Sequence, residues 1–133
     1  MELSNSSENG NGCLFCEIDV SRILYQDDLV YVIRDGFPVT ELHSLIIPKR
    51  HVATYFDLTQ EEVLSCNRLM ASVKADIESI DGKVTGFNIG VNCGETAGQT
   101  ILHCHIHLIP RRIGDVENPR GGIRHLIPGK GYY

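Results

Sequence analysis

The chain has 133 residues, 42% hydrophobic and 22% charged, an ordinary globular mix long enough to bury one compact core. A net charge of −5 argues against a general grip on nucleic acid, which needs a basic surface. No apolar run reaches membrane-spanning length, and the polar start, Met1 to Gly12, lacks a signal-peptide core, so the sequence predicts a cytoplasmic protein with no membrane partner. Five cysteines in such a chain speak against a disulfide framework.

Residues 1–12 are rich in Ser, Asn, Glu and Gly and read as a disordered tail, leaving 13–133 as a single domain. Ile23-Leu24-Tyr25-Gln26 and Leu29-Val30-Tyr31-Val32-Ile33 read as two strands around a tight Asp27-Asp28 turn. A loop over Arg34 to Pro38 leads to a third strand, His43 to Pro48, with Lys49-Arg50-His51 at its end. Thr59-Gln60-Glu61-Glu62 is a capping box that opens a helix. Val63, Cys66, Met70, Val73, Ile77 and Ile80 then recur at helical spacing until Asp81-Gly82 ends it. A fourth strand is expected over Phe87 to Asn92, followed by a glycine-bearing loop, Cys93 to Thr100. Past Arg112 the chain turns loop-like. Several strands, short connections and one main helix predict an α+β fold with a mostly antiparallel sheet of about five strands.

His103-Cys104-His105-Ile106-His107-Leu108-Ile109 is the stretch that carries chemistry. Apolar alternation reads as a strand, closed by Pro110. Alternate side chains share a face, so the three imidazoles form a row with neighbours roughly 6–7 Å apart. A row of satisfied imidazoles on a sheet is the bland reading, but it costs desolvation without an apolar gain. Two chemical readings stand beside it. His-x-His on a strand can chelate a metal ion, giving a metal-dependent hydrolase. Alternatively, the middle imidazole is a nucleophile, its Nδ1–H held by a backbone carbonyl and its Nε2 lone pair exposed. A phosphorus centre is the natural electrophile. Gly94 and Gly98 permit close backbone approach, and Gln99 and Thr100 supply donors, so the preceding loop reads as a phosphate cradle.

The pattern Phe87-Asn88, Asn92-x-Gly94, Ala97-Gly98-Gln99-Thr100, His103-x-His105-x-His107 and Pro110-Arg111 resembles the histidine-triad (HIT) superfamily of nucleotidyl hydrolases and transferases. Cys13-x-Phe15-Cys16-x-Ile18 and His43-x-Leu45-Ile46-Ile47-Pro48-Lys49-x-His51 extend the resemblance over most of residues 13–112. It implies a sheet with one long and one short helix, assembled as a homodimer. It implies His105 as the nucleophile that takes a nucleoside monophosphate group, His107 against the phosphate and leaving group, and His43 in support. Asn92 and Thr100 match the phosphate side, Asp35 a ribose-binding carboxylate, and Phe15 and Ile18 the wall of a purine pocket, adenosine being the expected nucleoside. Dinucleoside polyphosphates and nucleoside phosphoramidates are the implied substrates. A non-catalytic nucleotide-binding or scaffold protein is the alternative. Cys13-x-x-Cys16 lacks the βαβ setting of a redox pair. Related members pair such cysteines with two histidines on structural zinc, which implies Cys13, Cys16, His51 and His103 as Zn2+ ligands. Thr40-Glu41-Leu42 departs from the family, where proline or glycine is more usual before His43.

Overall fold

The structure, a computed structural model, describes residues 12–133. Residues 1–11, nearly all of the tail expected over 1–12, lie outside the described residues. Asp27 closes the first hairpin with its side chain: Oδ1 accepts from the Leu29 and Val30 amides, each at 2.9 Å. This side-chain turn joins β1 (Ile23–Gln26) to β2 (Val30–Arg34). The other carboxylate oxygen accepts from the Ser65 hydroxyl, tying the hairpin to the helix behind it.

β3 (Ser44–Pro48) follows, then the helix α1 (Gln60–Ile80), β4 (Val84–Gly90) and β5 (Ile106–Arg112). The expected capping box is present: the Thr59 hydroxyl accepts from the Glu62 amide at 3.1 Å, and Glu62 accepts from the Thr59 amide at 2.8 Å. Short helical content comes from 3-10 turns at Val20–Arg22, Tyr55–Asp57, Glu95–Ala97 and Gly122–Leu126. The five strands form one sheet in the order β1-β2-β3-β5-β4, every neighbour antiparallel. Among the described residues no helix is long and apolar enough to cross a membrane.

Both faces of the middle strands are covered, which explains the unbroken apolar runs of β2 and β3. On one face Val30, Val32, Ile46, Ile106 and Leu108 pack on Cys66, Val73 and Ile77 of α1. On the other, Tyr31, Ile33, Leu45 and Ile47 pack on Cys13 and Phe15, with Ile18, Ile23 and Ile101 at the margin. Each fully buried Val or Ile contributes about 1.5–3 kcal/mol. Leu45 pairs with His107 across β3 and β5, so the histidines lie on the face away from α1, beside the N-terminal segment.

The histidine strand starts later than its alternation predicts. β5 begins at Ile106, and His103 to His105 precede it as irregular chain. The Cys104 amide leaves the sheet direction and donates to the Val52 carbonyl at 2.7 Å. Pro110 does not close the strand either; β5 runs through it to Arg112. β3 stops opposite Leu108, so beyond that point β5 has a neighbour on one side only, and such an edge tolerates proline.

Candidate active site

His105 is half-buried where the chain enters β5. Its Nδ1 lies 2.8 Å from the His103 carbonyl. A carbonyl can only accept, so Nδ1 carries the proton and Nε2 the lone pair. The Phe15 ring packs on the imidazole with centroids 4.9 Å apart. Burial pulls His105 below its ordinary value, only partly opposed by the His103 carbonyl and Asp35, so the ring is neutral at neutral pH.

His107 follows on the same face, its ring centroid 5.2 Å from that of His105. His43, just before β3, brings Nε2 to 2.9 Å from His107 Nδ1. The Val39 amide donates to His43 Nδ1 at 3.1 Å. Asp35 Oδ2 approaches both rings, 3.4 Å from His43 Nε2 and 3.9 Å from His107 Nδ1. Burial, then the charges of His105 and His43, push His107 down to about 4 against the pull of Asp35. Burial lowers His43 too, again against Asp35. The loop between Asp35 and His43 is held by the Thr40 hydroxyl, which donates to the Pro110 carbonyl at 2.7 Å, and by a left-handed Leu42, φ 70°. A leucine in this left-handed conformation is strained.

The glycine loop is braced from within. Gly98 ends its 3-10 turn at φ 94°, where any Cβ would be strained. Gln99, 2% exposed, faces the loop backbone: its carbonyl accepts from the Gly94 amide at 2.8 Å, and its amide donates to Ala53 at 2.6 Å and Ile101 at 3.0 Å. Gln99 therefore braces the loop, with both amide protons directed at main-chain carbonyls. Asn92 and Thr100 are half-buried at the two ends of the loop.

A second cluster lies beside the first. Cys13 Sγ and Cys16 Sγ are each 3.4 Å from His103 Nδ1, Cys16 Sγ is 3.2 Å from His51 Nδ1, and the two Nδ1 atoms are 3.2 Å apart. All four donor atoms fall within 4.8 Å of one another. Ligands around a tetrahedral zinc are separated by about 3.3 Å for two nitrogens and about 3.6 Å for nitrogen and sulfur, so the set fits. His103 Nε2 lies 2.7 Å from the Pro48 carbonyl, which fixes the proton there and aims the Nδ1 lone pair at the cluster. Asp35, His43 and His107 also bring donor atoms within 4.8 Å of one another. Both His43 nitrogens are already hydrogen-bonded, so a metal there would have to break one of those bonds.

The structure thus brings His105, His107, His43, Asp35 and Phe15 together and gathers Cys13, Cys16, His51 and His103 next to them. Ile18 packs at the margin of the Phe15 cluster. Sequence reasoning missed the Val39 amide, the Pro48 carbonyl and the Tyr31 hydroxyl, which donates to the Phe15 carbonyl at 2.5 Å. Two of these are main-chain atoms, and no side-chain pattern reports them.

An antiparallel sheet here presents a neutral imidazole, its Nδ1–H held by a carbonyl, beside two hydrogen-bonded histidines. Residues 17–114 match the family model of the HIT domain, and the chain belongs to the HIT family. Adenylylsulfatase HINT3 of Arabidopsis thaliana is 41% identical over 117 residues, covering 83% of this chain. The chain spans 57% of the length of that relative. A HIT family protein of Bacillus anthracis superposes with a TM-score of 0.73 at 34% identity, over 83% of this chain and 78% of that one. Diadenosine triphosphate hydrolase of Plasmodium falciparum, solved with Cyclomarin A, superposes with a TM-score of 0.66 at 31% identity, over 76% and 68%.

Proposed function

We propose that the protein is a nucleotide hydrolase acting at a nucleoside phosphate, through a covalent nucleotidyl intermediate on His105. One observation carries this reading: the His105 Nδ1–H is anchored on the His103 carbonyl at 2.8 Å, which commits the lone pair to Nε2. A neutral, oriented imidazole is a nucleophile for phosphorus at neutral pH. The named activities of two relatives, an adenylylsulfatase and a diadenosine triphosphate hydrolase, are both of this kind. Dinucleoside polyphosphates and adenosine phosphoramidates are the candidate substrates. In this reading adenine lies against Phe15 and Ile18, Asp35 accepts from the ribose hydroxyls, and Asn92, Thr100 and His107 hold phosphate oxygens, with Gln99 acting only through the loop.

The four-donor cluster takes a structural Zn2+, whose spacing requirement its atoms meet. It closes the N-terminal segment over the sheet and has no open position for chemistry. The free edge of β4, with Ile89 54% exposed, is the surface on which a second copy adds to the sheet to give a homodimer.

The test is His105→Asn. Turnover on the diadenosine polyphosphates and adenosine phosphoramidate is expected to vanish while adenosine monophosphate still binds. In the wild type, a rapid acid quench is expected to trap a nucleoside monophosphate on His105, seen by peptide mass spectrometry. Undiminished turnover in the variant would refute the assignment.

A further inference from the structure

The hydrogen bonds around His43 determine more than its position. An amide N–H can only donate, so the Val39 N–H makes His43 Nδ1 an acceptor. The proton of neutral His43 is then on Nε2, 2.9 Å from His107 Nδ1 and 3.4 Å from Asp35 Oδ2. His107 Nδ1 must therefore accept, and its one proton is on Nε2. Adding a proton to His107 would place it on Nδ1, facing the N–H of His43. His43 could make way only by moving its own proton to Nδ1, where the Val39 N–H already points. Either move sets two donors against each other in a buried site. Among the described residues Asp35 is the carboxylate that faces this pair, and it favours an added proton. Burial of both rings and the neighbouring imidazole oppose it and outweigh it.

We propose that the Val39 N–H locks His43 and His107 in one neutral proton arrangement, so that the site cleaves nucleotidyl anhydrides in preference to nucleotidyl amidates. This rests on the hydrolase reading above and narrows it. In the first step His105 Nε2 forms a bond to the nucleoside phosphorus as the bond from phosphorus to the leaving group breaks. The leaving atom keeps the bonding pair, and His105 becomes positively charged with its Nδ1–H on the His103 carbonyl. Sulfate, phosphate or a polyphosphate departs as a stable oxyanion and requires no proton. An amine requires one, and His107 presents only the N–H of a neutral imidazole, which donates a hydrogen bond but is no acid at neutral pH. In the second step water attacks phosphorus, the pair returns to Nε2 and the water proton passes to solvent. Val39 is thus a positioning residue, acting through His43 on the group that meets the leaving atom.

Two measurements on the intact protein decide this. Long-range proton–nitrogen NMR of histidine-labelled protein near neutral pH is expected to show His43 and His107 each with a single proton, on Nε2. A proton on His107 Nδ1, or either ring as imidazolium, would overturn the proposal. Adenosine phosphosulfate is expected to be cleaved with a kcat/KM about a hundredfold or more above that of adenosine phosphoramidate, the scale of a missing general acid. Comparable values for the two overturn the preference and leave the hydrolase reading intact, whereas turnover of neither removes the hydrolase reading itself. Val39→Pro deletes the N–H in an exposed loop and is expected to narrow the ratio by about tenfold or more, the effect of one pKa unit on the protonated fraction. Val39→Ala, which keeps the N–H, is expected to restore the wild-type ratio. A proline variant that folds, shows a changed His43 tautomer and keeps the wild-type ratio would also overturn the proposal. If it does not fold, the wild-type spectrum and the substrate pair still decide.

Discussion

If the four-donor cluster holds zinc as proposed, withdrawing the ion is expected to release the segment from Cys13 to Ile18 while the sheet and α1 stay folded. The segment docks by burying Cys13 and Phe15 and half-burying Ile18, and by the hydrogen bond from Tyr31 to the Phe15 carbonyl. Full burial of Phe15 and partial burial of Ile18 contribute about 4 kcal/mol together, with about 1 kcal/mol each for Cys13 and for the hydrogen bond. Ordering six residues costs about 6–12 kcal/mol of backbone entropy. The sum is near zero or a few kcal/mol unfavourable, so the segment does not hold its place by packing alone. Zinc at the proposed site would reverse this, because its four ligands would tie Cys13 and Cys16 to His51 and His103. The main core rests on α1 against the opposite face and includes none of these residues. Hydrogen exchange with and without a chelator is the assay, with zinc content measured in parallel. Protection is expected to disappear over residues 12–18 and to persist in β2, β3 and α1. KM for nucleotide should rise as Phe15 leaves His105. A chain that purifies without zinc and still protects residues 12–18 would refute the reasoning, as would global unfolding on chelation.

Two more outcomes follow from the geometry. His107 stands at about 4 in the fold against an ordinary 6.5, so the folded state binds fewer protons than the unfolded chain. Its share of stability is complete above pH 6.5 and is lost as pH falls toward 4, on the order of 3 kcal/mol in all, with His43 shifted in the same direction. Urea titrations between about pH 7 and about pH 4.5 should show a flatter dependence for His107→Gln, and an unchanged slope would contradict the assignment. Gln99→Ala removes three hydrogen bonds from a side chain 2% exposed and leaves the Gly94 amide and two carbonyls unpaired. A loss of about 2–4 kcal/mol in thermal or urea unfolding is expected, together with slower turnover from a loosened cradle. Wild-type stability in that variant would show that water replaces the side chain.

Local rules made much of the fold readable. Thr59 and Glu62 specify the start of α1 because a capping box is a contact between neighbours in sequence. The Asp27 turn is equally local, its carboxylate bonding amides two and three residues on. Apolar runs in β2 and β3 announced buried strands, though nothing in the runs revealed that helix and N-terminal segment would cover opposite faces. The histidine alternation predicts the strand three residues too early. There the pull is non-local: Cys104 bonds Val52, and His103 is drawn to Pro48 and to the cluster with Cys13, Cys16 and His51.

What the sequence determined by itself is the inventory: a capped amphipathic helix, strands with their turns, three imidazoles two residues apart, and a C-x-x-C pair with histidines to match it. Periodicity and short-range hydrogen bonding carry that information, and both are written in neighbouring residues. Tertiary structure decided the protonation. The His103 carbonyl, the Pro48 carbonyl and the Val39 amide each fix one histidine tautomer. The three rings thereby differ: His103 aims a lone pair at the four-donor cluster, His105 keeps its lone pair on Nε2, and His43 donates to His107. The partners of His103 and His43 are main-chain atoms that only the folded path of the chain brings within reach. Even the carbonyl beside His105 depends on the irregular backbone that tertiary contacts impose before β5, so side-chain identity alone could not assign the protons.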